Sequence, residues 1–188
     1  MNIDMKIIKN KDHVLFTNQN GEYHMSLNQF DKLGEEKAKE YFEALKANGV
    51  MITDGNASAR DRVADGTVPI AFTDTDDALV AIQEGKPVDI LWPDKGGMGT
   101  LLIPNTVALI KGGPNPEAGK KLIDFLLSKK VEEMLAHCGS GQIPLRSDVK
   151  RPSHVPNLDK IKAMEVDYEQ IADLMDPVGR FMQQLFVR

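Results

Sequence analysis

The stretch Thr73-Asp74-Thr75-Asp76-Asp77 sets three carboxylates within four residues, directly after the apolar run Pro69–Phe72. Carboxylates this close repel one another, so they need solvent, a cation or helix N–H donors around them. One of the three suffices as a helix cap. The rest, with the hydroxyls of Thr73 and Thr75, form a set able to accept hydrogen bonds from the amino or hydroxyl groups of a solute. Asp54-Gly55-Asn56-Ala57-Ser58 is a second such place, between an apolar segment and a helical one. Backbone N–H groups at a helix start, with the side chains of Asn56 and Ser58, suit a carboxylate or phosphate. A plain cap at Ser58 explains the same residues and is the more common use of serine there.

An apolar strand followed by Asp-x-Asp also resembles the first motif of the haloacid dehalogenase phosphohydrolases. That resemblance implies Asp74 as nucleophile, Asp76 as general acid and Mg²⁺ between carboxylates, which is sound chemistry. The family adds a second acidic pair at a later strand end. Here those ends read Trp92-Pro93-Asp94 and Ile110-Lys111-Gly112, with no paired carboxylates. Other candidates are weaker. His137-Cys138 is a dipeptide, whose side chains cannot easily face each other as base and nucleophile. The histidines at 13, 24, 137 and 154 lack zinc-ligand spacing. Gly96-Gly97-Met98-Gly99-Thr100 lacks the Gly-Lys-Ser/Thr ending of a nucleotide loop and reads as a flexible connection. No metal or cofactor is expected.

The elements that position these residues alternate. Met5–Ile8, His13–Thr17 and Tyr23–Leu27 read as short strands, with Asn20-Gly21 as a turn. From Asp31, Leu33, Ala38, Tyr41, Phe42 and Leu45 recur at mostly helical steps until Gly49. Strands are then expected at Val50–Thr53, Val68–Phe72, Val88–Trp92 and Leu101–Ile110, the last interrupted at Pro104-Asn105. Helices are expected at Ser58–Ala64, opened by Ser58 with Asp61 three residues on, and at Thr75–Gln83. Asn115-Pro116-Glu117 starts another helix, Lys130–His137 makes the next, and Leu158–Val187 reads as two or three more. Alternating strands and helices over 50–128 imply an α/β, doubly wound, mostly parallel sheet. The division is 1–30, N-terminal strands of unassigned origin; 31–150, the α/β region; and 151–188, a helical segment after a linker at Arg151–Pro156. In such sheets ligands meet loops at the carboxyl ends of strands, where both acidic and Asn-Ser loops fall.

Composition narrows the classes. The 188 residues carry a net charge of −5, with Lys and Arg scattered among Asp and Glu. That argues against a nucleic-acid partner, which selects basic patches. One cysteine, Cys138, allows neither an internal disulfide nor a thiolate cluster. No apolar run reaches the ~20 residues that span a bilayer. Charges interrupt every apolar stretch of Met1–Asp12, so it does not read as a signal peptide.

Residues 31–149 resemble the C-terminal half of bacterial extracellular solute-binding proteins of ABC transporters, in the group that includes ferric-iron-binding proteins. The matching stretches are Leu33–Ala38, Asp54-Gly55-Asn56, Val63–Gly66, Thr73–Ala78, Leu102–Ile110 and Leu122–Ser128. Their order and spacing carry the likeness, since no single one is diagnostic. The resemblance implies a periplasmic-binding-protein-like (type II) fold, present here incompletely, with a cleft at a hinge. It also implies a periplasmic location, a small polar or anionic solute or metal ion as ligand, and an ABC permease as partner. It implies no catalysis. Asn56, Ser58, Thr73, Asp74, Thr75 and Asp76 become the expected ligand contacts. The ferric members' adjacent tyrosines are missing, because the only tyrosines are Tyr23, Tyr41 and Tyr168. Apolar surface on Leu101–Ile110 and the helices after it would lack its usual cover, which favours self-association. A homodimer, pairing through strands of residues 5–30 at a sheet edge, is therefore expected, as is the alternative of a remnant that binds nothing.

Overall fold

The computed structural model describes residues 14–17, 21–93, 95–139 and 141–187, with side chains from Leu27 onward. Three short strands form a parallel sheet: β1 (Val14–Thr17), β2 (Met51–Thr53) and β3 (Ile70–Ala71), in the order β2-β1-β3. Leu15 pairs with Met51 on one side and with Ala71 on the other. Seven α-helices are described: α1 (Gly21–Leu33), α2 (Glu35–Ala47), α3 (Asn56–Ala64), α4 (Thr75–Gln83), α5 (Pro116–Leu126), α6 (Lys129–His137) and α7 (Tyr168–Phe186).

The sheet is wound on both faces, and the alternation of its side chains shows how. Ile52 and Ile70 pack on a core of Leu27, Phe30, Ala38, Phe42, Leu45, Ile171 and Val178, contributed by α1, α2 and α7. Their neighbours Met51 and Ala71 turn the other way, onto Ala59 and Val68 beside α3. A period of two in the strands thus sends alternate residues to two helical layers. In the larger core the rings of Phe30 and Phe42 stack at 6.4 Å and Phe181 meets Phe30 edge-on at 5.6 Å.

Helix boundaries follow local chemistry. Gly34 (φ 81°) separates α1 from α2, and Gly49 (φ 79°) ends α2. Asp74 caps α4 by accepting from Asp77 N, and Ser128 caps α6 by accepting from Val131 N. Pro116 occupies the first turn of α5, where its missing N–H costs nothing.

Several expectations are corrected. Tyr23–Leu27 is not a strand but part of α1, so residues 1–30 are not a run of strands. Packing of α1 against α2 and α7 overrides the weak strand preference of a five-residue run. Of the expected turn at Asn20-Gly21, Gly21 is the first residue of α1 and Asn20 lies outside the described residues. β1 lies between two partners and presents no free edge, so it cannot pair with a second chain in the expected way. Met5–Ile8 lies outside the described residues. Val88–Trp92 and Leu101–Ile110 join no ladder. A strand exists only with a partner, and 101–110 runs along α5 instead, where a Cβ on Gly119 would come within 2.6 Å of Leu109 Cδ1. The linker at Arg151–Pro156 is a packed turn, with Val155 buried and its carbonyl accepting from Arg151. Leu158–Val187 holds one long α-helix after a short 3-10 turn at Leu158–Lys160.

Candidate functional site

Parallel strands bring their carboxyl ends to one edge, and the two expected loops meet there. Thr53 lies level with Thr17, and two residues beyond the Leu15–Ala71 pair bring Thr73 to the same level. The loop after β2 enters α3 at Asn56, and the loop after β3 enters α4 at Thr75. Although β2 and β3 flank β1, the loops touch. Asn56 Nδ2 donates to Asp74 Oδ2, and Thr73 Oγ1 donates to the Asn56 carbonyl at 3.1 Å.

The three carboxylates have three fates. Asp74 caps α4 through Asp77 N at 3.2 Å while accepting from Asn56. Asp77 accepts from Arg60 Nη1 at 3.1 Å, which ties α3 to α4. Asp76, half-buried, is left beside Asp74. Its carboxyl is pushed above the usual carboxylate range by burial first, then by the charge of Asp74 and the hydrogen bond between the two acids. Thr75 is the first residue of α4 and is half-buried.

Ser58 departs from its expected role. α3 starts two residues earlier than expected, its cap position is Gly55, and no side chain caps it. The Ser58 hydroxyl donates to Asp54 Oδ1 at 2.6 Å, which holds the Asp54 carboxyl below its ordinary range. The expected pairing of Ser58 with Asp61 is replaced by Asp61 accepting from Arg60 at 2.8 and 2.9 Å.

Two features escaped sequence reasoning. β1 stands between β2 and β3, and the helix that follows it, α1, is hidden because 23–27 reads as a strand. The Arg60–Asp77 pair spans seventeen residues, and no local pattern announces a contact of that kind. The glycine-rich loop was expected to be a flexible connection, yet Gly99 and Thr100 are buried against residues 162–164. Tyr41 sits in the larger core with its phenol pushed up to about 12 by burial, and Tyr168 Oη donates to the Leu102 carbonyl at 3.2 Å. Neither is placed as a phenolate ligand. Among the described residues no three His, Cys, Asp or Glu side chains are grouped to hold a metal ion.

The sequence profile described as bacterial extracellular solute-binding protein matches residues 7–163. The chain belongs to that family. The match reaches well ahead of residue 31, so the family likeness takes in β1 and α1 as well. A solute-binding protein of Salmonella typhi, named for 2-aminoethylphosphonate binding in the periplasm, is 35% identical over 126 residues. The match covers 65% of this chain and 37% of that relative, so the chain spans little more than a third of its length. Iron uptake protein A1 of Synechocystis is 24% identical over 187 residues, covering 93% of this chain and 51% of that protein. Among solved structures, the apo ferric ion-binding protein A of Pasteurella haemolytica superposes with a TM-score of 0.82 at 18% identity, over 96% of this chain and 60% of that one. The fold is therefore that of the type II periplasmic binding proteins, incomplete here. Family and fold are those of binding proteins, and the phosphohydrolase reading of Asp74 loses its support. Asp74 is occupied as a helix cap and as the acceptor of Asn56.

Because folding raises the Asp76 value, its stabilising share is complete below the ordinary carboxylate range and is lost as pH rises through the raised value. Asp76→Asn stays neutral throughout. It is therefore expected to be more stable than the parent chain near neutrality, and the gain should vanish below about pH 4. Urea unfolding at both pH values checks this, and a difference independent of pH would contradict it.

Proposed function

We propose that the chain is the ligand-binding half of the substrate-binding component of a bacterial ABC transporter, taking a small zwitterionic solute at the carboxyl edge of its sheet. The observation that carries this is the contact of Asn56 with Asp74, which joins two strand-to-helix junctions into one polar surface. The halves of that surface suit opposite charges. α3 has no side-chain cap, so its first-turn N–H groups and positive dipole end suit a phosphonate, phosphate or carboxylate. Asp74 and Asp76, with Thr73 and Thr75, suit an ammonium group. Asn56 and Ser58 border both. The 2-aminoethylphosphonate of the Salmonella relative's name has an acid and an amine two carbons apart, and is the first solute to try. Location in the periplasm and delivery to a permease belong to the same proposal.

Calorimetric titration tests the reading, with 2-aminoethylphosphonate set against ethylphosphonate, which lacks the amine, and ethanolamine, which lacks the acid. The zwitterion should bind most tightly. Asp74→Asn keeps a residue that caps as well as aspartate but removes a charge-assisted bond of about 1.5–3 kcal/mol, or roughly 10- to 100-fold in affinity. Affinity for the amine should rise with pH through the acid range as Asp76 ionises. Equal affinity of the parent chain and Asp74→Asn would overturn the assignment of the amine.

A further inference from the structure

The first turns of α3 and α4 are zipped together by two contacts. Asn56 Nδ2 donates to Asp74 Oδ2, and one turn further in Arg60 Nη1 donates to Asp77 Oδ1 at 3.1 Å. Asn56 and Arg60 are four residues apart and Asp74 and Asp77 three, so each pair shares one face of its helix end. Asp77 closes the ring, since its N–H donates to Asp74 Oδ1 at 3.2 Å. We propose, resting on the zwitterion reading of this surface, that Arg60 determines its specificity: by compensating Asp77, it keeps the N-terminal end of α3 open to an anionic group.

Residues 54–77 carry six aspartates against two arginines, Arg60 and Arg62. Arg62 lies two residues beyond Arg60 and so on the opposite side of α3. Arg60 also donates to Asp61 at 2.8 and 2.9 Å, but Asp61 is 64% exposed and well screened by solvent. The Arg60 and Asp77 side chains are only 18 and 22% exposed, so salt and water screen that pair less. Without the guanidinium, Asp77 adds a full negative charge beside Asp74 and Asp76. Arg60 stands one helical turn, about 6 Å, along α3 from Asn56, and the Debye length at physiological salt is about 8 Å. An unpaired Asp77 is therefore felt where the uncapped N–H groups of α3 would meet a phosphonate. A unit charge at that range is worth about tenfold in affinity. Its sign differs at the two ends of the solute, repelling the acid and attracting the amine. A residue that merely clamped α3 to α4 would weaken both ends alike.

Calorimetric titration of Arg60→Gln with ethylphosphonate and with ethanolamine separates the two roles. Ethylphosphonate should bind about tenfold more weakly than to the parent chain, and ethanolamine more tightly. The loss should shrink as ionic strength is raised. Adding Asp77→Asn to Arg60→Gln should restore ethylphosphonate affinity, although the ion pair between the helices stays absent. Asp77→Asn alone leaves Arg60 on Asp61 and should do the reverse, with the acid tighter and the amine weaker. It stands in where Arg60→Gln does not fold. Equal weakening of both probes, or no recovery in the double variant, overturns the assignment of Arg60, while a parent chain that still binds 2-aminoethylphosphonate keeps the reading of the surface. A parent chain that binds none of the three solutes overturns both.

Discussion

Phe42→Ala should lower the unfolding free energy by about 3–5 kcal/mol, a large part of the 5–15 kcal/mol typical of a domain. Phe42 is fully buried in the core that joins α1, α2 and α7 to the sheet. Its ring lies 6.4 Å from that of Phe30 and 5.1 Å from that of Tyr41. Truncation removes the transfer energy of the ring and leaves a cavity whose walls are helices held by other contacts, so collapse is only partial. The same core positions Ile52 and Ile70, and through them the strand ends that carry the proposed ligand loops. Loss of stability should therefore be accompanied by weaker solute binding. Urea unfolding of parent and variant measures the first effect. Leu91→Ala, at a side chain 77% exposed, should change stability by less than about 0.5 kcal/mol and serves as the contrast. A Phe42→Ala loss as small as that would mean the core is not packed as described.

Gly99→Ala is expected to cost about 2–4 kcal/mol, from a left-handed backbone and overpacking together. Gly99 has φ 93°, and a Cβ built there would stand 2.7 Å from the Lys162 carbonyl oxygen and 2.9 Å from Ala163 C and O. These are main-chain atoms, so no side chain can swing aside. The residues involved also pair the loop with 162–164: Thr100 N donates to Lys162 O at 2.8 Å, and Met164 N donates to Thr100 O at 2.9 Å. Moving 162–164 away would break both bonds and loosen the approach to α7. Gly96, in the same loop, has nothing within 4 Å of its Cβ position. Gly96→Ala should be close to neutral. Thermal or urea melts of the two variants side by side make the test, and equal effects would show that the loop is not pinned at Gly99.

How much was legible in advance depends on the range of the interaction. α4 was readable residue for residue, because Asp74, the apolar residues at helical steps and Gly85 are all local signals. α5 and α6 were readable to within a residue or two for the same reason. The clustering of carboxylates at 74, 76 and 77 pointed to the edge of the sheet by itself. Their separate fates did not, since Asn56 and Arg60 reach Asp74 and Asp77 from 18 and 17 residues away. Gly99 illustrates the same limit. Its neighbours in sequence describe a flexible loop, and its neighbours in space, sixty residues on, make it a rigid one.

By itself the sequence determined the helical periods, the glycine stops, the doubly wound alternation, the family and the acidic loop at a strand end. Each of these is written in spacings of a few residues, where backbone geometry acts directly. Only the tertiary structure decided that residues 21–33 are a helix, that Leu101–Ile110 finds no ladder, and that the loops after β2 and β3 form one surface. Strand pairing, helix docking and buried charge depend on partners distant in the chain. A five-residue run reads equally as strand or helix until its partner is in place.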